Sequence, residues 1–203
     1  MAARRGTVPR LKLSTIIRRA PKMARNALRD LRYGKPLGGT IRTKYAHLGA
    51  HDVGNADYQD LALLFAAVPV GPGDVLVDVG CGKGRSINWF LDRYPGNRIV
   101  GIELDPEICG DTAKRLRRHE RVTILCGDAT ELLPADGTVF YLFNPFDESV
   151  MRRFARAMLD RGSPAAIVYL NEKHADVFDD PRFTVTPIDP PGLSFRSVLV
   201  MVH

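Results

Sequence analysis

Short apolar runs alternate with segments of helical period along most of this chain, and the alternation begins near residue 56. Residues 56–68 (ADYQDLALLFAAV) carry Leu61, Leu64, Phe65 and Val68 at helical spacing, which predicts a helix with one core-facing side. Strand-like runs rich in β-branched residues follow at 75–77, 98–103, 122–126, 138–143 and 165–170. Helical patterns at 85–93, 147–160 and 172–178 separate them, and Asp105-Pro106 opens another helix. Two last strands, 183–186 and 195–202, flank an Asp-Pro-Pro-Gly turn and read as an antiparallel pair. This order predicts an α/β fold. Upstream, residues 35–40 (KPLGGT) are a linker by composition, and 24–33 form a short amphipathic helix. Pro9 and Pro21 are expected to break any longer one. The chain therefore divides into a basic arm and linker, 1–40, and a folded domain, 41–203.

The ends of the strands carry the candidate chemistry. The first runs into Val77-Asp78-Val79-Gly80-Cys81-Gly82-Lys83-Gly84, a buried strand followed by a sharp glycine turn and then a helix. Residues without a Cβ let a ligand lie against the backbone. The spacing is G-x-G-x-G; the dinucleotide pattern wants G-x-G-x-x-G, and Arg85 stands at its last glycine. Glu103 ends the second strand, 21 residues after Gly82, where a carboxylate reaches a ribose diol. Asp105 reads as the cap of the following helix. Asp128 follows the third strand, suited either to an adenine amine or to capping a short turn at 130–133. Asn144-Pro145-Phe146 ends the fourth strand, across the sheet's switch point from the glycine turn, where a second substrate docks.

Taken in order, VDVGCGKG, GIELD, CGDAT and YLFNPF resemble the motifs of the class I S-adenosylmethionine-dependent methyltransferases, over residues 74–203. The resemblance implies a Rossmann-like, seven-stranded, mostly parallel sheet with helices on both faces and an antiparallel last strand. It implies S-adenosylmethionine as cofactor, with Asp78, Gly80, Gly82 and Gly84 at the methionine part, Glu103 at the ribose and Asp128 at the adenine amine. Cys81, Leu104, Ala129 and Asn144 complete the cofactor's surroundings in the same reading, and Asn144, Pro145 and Phe146 are the candidate catalytic residues. The N-P-F element is similar to the N-P-P-[YF] of amino-group methyltransferases but lacks the second proline. On that resemblance Asn144 and the Pro145 carbonyl accept hydrogen bonds from an amine and aim its lone pair. Together with GGTIRTKYAHLGAH upstream, the chain looks like small bacterial methyltransferases of unassigned substrate, themselves similar to nucleosome-core lysine methyltransferases. In such proteins the segment at 41–55 covers the cofactor, and Thr43, Tyr45, His47 and His51 are its candidate lining residues. His47, His51, Tyr45 and Tyr58 are candidate bases by position.

Charge divides the chain in the same place. Residues 1–44 hold 13 Lys and Arg against one acid, Asp30, while the remainder holds 16 against 22. The arm reads first as a solvated flexible segment, ahead of a polyanion contact through residues 1–35, with nucleic acid or anionic lipid, and of a targeting peptide. No run approaches the length of a transmembrane helix, and no secretory signal opens the chain, so a cytoplasmic protein is expected. Three cysteines, Cys81, Cys109 and Cys126, with no C-x-x-C pair, suggest reduced thiols and neither a disulfide framework nor a zinc site. Two rival functions remain: an NAD(P)-dependent oxidoreductase, and a non-catalytic cofactor-fold module tethered to a polyanion. The favoured acceptor is a protein or a small molecule.

Overall fold

The computed structural model describes residues 13–203. The first part of the basic arm, with Arg4, Arg5, Pro9, Arg10 and Lys12, lies outside the described residues. The chain falls into two compact units, divided between Gly38 and Gly39.

In the first unit a helix, α1, runs over Leu13–Leu31 with Pro21 inside it. This corrects the expected helix bounds of 24–33 and the break expected at Pro21. Proline fixes φ at a helical value and removes one backbone bond; the Ala, Leu and Arg residues flanking Pro21 are among the strongest helix formers. Beyond the helix, the Asp30 carboxylate accepts the Leu37 N–H at 2.9 Å.

The second unit is built on a seven-stranded sheet in the order β3-β2-β1-β4-β5-β7-β6. The strands are β1 (Val75–Val79), β2 (Arg98–Glu103), β3 (Val122–Cys126), β4 (Val139–Phe143), β5 (Ala165–Leu170), β6 (Phe183–Ile188) and β7 (Ser197–Val202). The first five pair in parallel, and β7 runs against both of its neighbours, β5 and β6. The helices are α2 (Tyr58–Phe65), α3 (Arg85–Arg93), α4 (Pro106–Leu116) and α5 (Glu148–Asp160). A 3₁₀ turn occupies Ala175–Phe178, shorter than the helix expected from residue 172.

Strand alternation puts two cores on the two faces of the sheet. Tyr141 of β4 meets Phe65 of α2 and Phe90 of α3, with Trp89 and Tyr94 in the same aromatic cluster. Its neighbours Phe140 and Leu142 point the other way, onto Met151, Phe154 and Met158 of α5. Caps fix where the helices start. Asp105 accepts from the N–H groups of Glu107 and Ile108 with Pro106 at the first position of α4, and Asp147 accepts from Val150 at the start of α5. A cap of this kind is worth about 1 kcal/mol.

Cys109 of α4 and Cys126 at the end of β3 form a disulfide, their Cα atoms 5.7 Å apart. This corrects the expectation of three reduced thiols. Packing of α4 beside β3 brings together two cysteines 17 residues apart, a pairing their spacing does not reveal. Cys81 alone stays free, and burial pushes its thiol well above the usual range.

Candidate active site

The strand order reverses between β1 and β4, and a crevice opens there at the carboxyl ends of the parallel strands. A cavity of about 870 Å³ lies at this point. Its wall includes Gly80, Glu103, Leu104, Asp128, Ala129, Asn144, Pro145 and Phe146, all expected at the site. Thr43, Tyr45, His47 and His51 also line it, from the segment before the sheet. Asp78, Cys81, Gly82 and Gly84 do not; they form the support behind it.

Two glycines show why the turn is built without side chains. Gly80 has φ 71°, and a Cβ there would stand 2.6 Å from Cβ of Pro145. The end of β1 and the N-P-F element thus touch through a missing side chain. Gly82 has φ 52°, and a Cβ there would meet Val53 Cγ1 at 2.5 Å. The turn is covered by the upstream segment and held from behind by α4. Thr112 Oγ1 donates to the Gly82 carbonyl at 2.9 Å, and Arg115 donates to the Lys83 carbonyl at 2.6 Å.

Glu103 joins the two turns. Its Oε2 accepts the Gly82 N–H at 2.8 Å, and its Oε1 accepts the Asp105 N–H at 2.9 Å. Burial pushes its carboxyl up, and those N–H groups pull it back. Each oxygen keeps a second lone pair for a hydroxyl donor. Asp78 is more deeply enclosed. Its carboxylate takes the Ser86 hydroxyl, and burial pushes its pKa to about 7. Asp128 Oδ1 caps Thr130 through N–H and hydroxyl bonds of 2.8 Å each, and the residue lines the cavity. Arg153 of α5 stands 3.6 Å from its Oδ2.

Asn144 is the most constrained residue of the site. Its φ of 43° lies in the left-handed region, which Asn tolerates better than most side chains. Its Oδ1 accepts the Tyr169 hydroxyl at 3.0 Å. Burial raises the Tyr169 pKa to about 12 against N–H bonds from His174 and Lys173, so the hydroxyl keeps its proton. His51 Nδ1 lies 3.0 Å from the Asn144 carbonyl oxygen and 3.3 Å from Asn144 Nδ2. The backbone ties the same two segments together: the His51 N–H donates to the Pro145 carbonyl at 2.9 Å, and the Asp147 N–H to the Gly49 carbonyl at 2.8 Å. Both acceptors expected to cradle an amine, Asn144 Oδ1 and the Pro145 carbonyl, are therefore already engaged within the chain. Their partners, Tyr169 and the 49–51 backbone, come from a distant strand and a loop, and no local motif announces either. Arg153 and Lys173 likewise line the cavity without a sequence signal.

These observations fit an adenosine-bearing ligand. Two carboxylates stand at neighbouring strand tips, a glycine backbone lies open to the cavity, and polar groups converge at the far wall. Comparison with known proteins agrees. Residues 76–162 match a family model described as "Methyltransferase domain". The chain is 39% identical over 64 residues to a trans-aconitate 2-methyltransferase of Sinorhizobium fredii, covering 30% of this chain and 25% of that protein. It is 28% identical over 104 residues to the enzyme of that name from Methylobacterium nodulans, covering 49% and 40%. The matched stretches thus span well under half of those relatives' own length. In fold it is similar to an RNA methyltransferase from Salinibacter ruber solved with S-adenosyl-L-homocysteine, with a TM-score of 0.56, 24% identity and coverage of 72% of this chain and 92% of that one. The oxidoreductase alternative gains no support from these matches. Sheet order and strand-tip acids agree with the match of residues 76–162 to a methyltransferase domain, the stretch that carries the glycine turn, Glu103, Asp128 and Asn144.

Proposed function

We propose that this chain transfers a methyl group from S-adenosylmethionine to a nucleophile presented at the Asn144–His51 wall of the cavity. The observation that carries the reading is the convergence of Glu103, Asp128, Gly80 and Asn144 on one crevice at the β1/β4 switch point. The bound donor supplies an electrophilic methyl on a sulfonium, so the protein's work is alignment and exclusion of water. In this reading the Gly80–Gly84 turn takes the methionine end, with Asp78 and Cys81 as its buried support. The free lone pairs of Glu103 take the ribose hydroxyls. Asp128, flanked by Leu104 and Ala129, takes the adenine amine.

At the reacting end Asn144, Pro145 and Phe146 form the wall. His51 Nδ1 donates to the Asn144 carbonyl, the shorter of its two contacts, and this leaves Nε2 as the ring's proton acceptor. Such an acceptor suits a nucleophile that sheds a proton as it reacts: an amine, a side-chain nitrogen or a hydroxyl. The cavity, at about 870 Å³, is near the upper end for small-molecule sites, which leaves room for a small molecule or a protein side chain beside the donor. The relatives named above carry a small carboxylic acid in their name, which favours the small molecule. We further take residues 1–35 as a polyanion-contacting segment and the cytoplasm as the compartment. No helix among the described residues is long and apolar enough to cross a membrane.

A crystal grown with S-adenosylhomocysteine tests this reading. Its sulfur is expected against the Asn144-Pro145-Phe146 wall, with Glu103 on the ribose. A ligand seated elsewhere, or adenine out of reach of Asp128, refutes the assignment of these residues.

A further inference from the structure

Helix α1 is amphipathic in an unusual sense. Ala20, Met23, Ala24, Ala27, Leu28 and Leu31 recur at intervals of three and four and share one stripe. The sequence carries the same period back through Ile17, Ile16 and Leu13. In an ordinary surface helix that stripe would be the buried one. Here Met23 is 61% exposed, Leu28 67% and Leu31 52%, while the buried positions among the described side chains of the helix, residues 20–31, are polar, Asn26 and Asp30. A stripe of this size left in water is unfavourable unless something covers it.

The charges on the same helix say what would cover it. By helical period Lys22, Arg25 and Arg29 fall on the arc opposite the apolar stripe. Asp30 is the one acid among residues 1–44, against 13 Lys and Arg. An apolar face backed by a cationic one, low in acids, is the pattern of a helix that lies in a lipid–water interface. The cations draw it to anionic headgroups, and the apolar side chains enter the acyl boundary. Nucleic acid would engage the cations and leave Met23, Leu28 and Leu31 in water, so it does not account for the stripe.

We propose that α1 is a membrane-surface anchor that docks the chain onto anionic lipid. It neither spans the bilayer nor depends on the methyl-transfer reading, because Met23, Leu28 and Leu31 are not part of the cavity wall.

The test is co-sedimentation of the full chain with vesicles of phosphatidylcholine alone and with about 30 mol% phosphatidylglycerol added. The wild type is expected on the anionic vesicles and in solution with the neutral ones. The charge-preserving variant Met23→Asn/Leu28→Asn/Leu31→Asn is expected to lose about tenfold or more in partitioning, with an unchanged thermal midpoint. Leu28→Asn alone, at a largely exposed position, gives a smaller loss in the same direction should the triple variant fold poorly. Arg25→Gln/Arg29→Gln is expected to weaken binding and flatten its salt dependence. Three results overturn the proposal. One is no partitioning of the wild type. Another is partitioning of the triple-Asn variant equal to wild type, which means binding by charge alone. The last is a wild-type dimer that the triple-Asn substitution dissociates, with no vesicle binding by either, which assigns the stripe to a second copy.

Discussion

His51 and Asn144 stand 93 positions apart in sequence and meet through one imidazole nitrogen, which lies 3.0 Å from the Asn144 carbonyl oxygen and 3.3 Å from its amide nitrogen. The Tyr169 hydroxyl on Asn144 Oδ1 fixes which way that amide points. A carbonyl only accepts and an amide NH2 only donates, so the two contacts call for opposite tautomers, and the shorter one favours the proton on Nδ1. Long-range ¹H–¹⁵N correlation of the imidazoles, with His51→Gln for assignment, is expected to find neutral His51 as the Nδ1–H tautomer. The Nε2–H tautomer would instead make Asn144 Nδ2 the donor and contradict the proton-acceptor role proposed for His51 Nε2.

The contact between the glycine turn and the N-P-F wall gives a steric prediction. Gly80→Ala places a Cβ 2.6 Å from that of Pro145 at a φ of 71°. Left-handed strain and the clash together should cost about 3 kcal/mol in urea unfolding. At Gly96 a Cβ meets nothing within 4 Å, so Gly96→Ala is the control, expected within about 0.5 kcal/mol of wild type.

Asp78 gives the fold a pH dependence of definite sign. Burial, the largest cause, raises its carboxyl from an ordinary 3.8 to about 7, and the Glu103 charge adds to the rise. The folded state therefore binds this proton more tightly than the unfolded chain does. Its contribution to stability is full below about pH 4 and is lost as pH rises through 7. Asp78→Asn keeps an acceptor for Ser86 and does not titrate. Relative to wild type, the variant should gain up to about 4 kcal/mol between pH 4 and 8, measured by urea unfolding across that range. A difference that stays constant with pH would show that Asp78 is ionised throughout.

The Cys109–Cys126 bridge closes a loop of 17 residues between α4 and the strand that leads to Asp128. Loop entropy at that length is worth about 3 kcal/mol. Reduction, or Cys109→Ser, should lower unfolding free energy by about that amount. Free-thiol titration of the denatured, unreduced protein should count one cysteine, Cys81. Three titratable thiols would show the pair to be reduced.

What was legible in the sequence follows from how local each signal is. The parallel strands are buried on both faces, so they read as unbroken β-branched runs, and their ends carry cavity-lining residues at fixed offsets: Gly80 after β1, Glu103 at the end of β2, Asp128 after β3, Asn144 after β4. Each is determined by its own strand. The unread parts depend on partners far away in sequence. Pro21 argued for a break, and the helix formers on both sides outweighed the lost bond. Cys109 and Cys126 carry no spacing motif, and only the placement of α4 against β3 pairs them. The N-P-F tripeptide suggested two acceptors, and each already takes one bond, from Tyr169 of β5 and from the backbone of His51. Arg153 enters the cavity from the outer side of α5, where a cation otherwise reads as a solvated surface residue.

Everything proposed for the site rests on donor binding in the β1/β4 crevice, and calorimetric titration with S-adenosylhomocysteine addresses it most directly. One molecule per chain is expected to bind, with Asp128→Ala weakening it about tenfold and NAD giving no heat under the same conditions. Absence of binding by the wild type, or an affinity indifferent to Asp128→Ala, would contradict the assignment of the strand-tip acids.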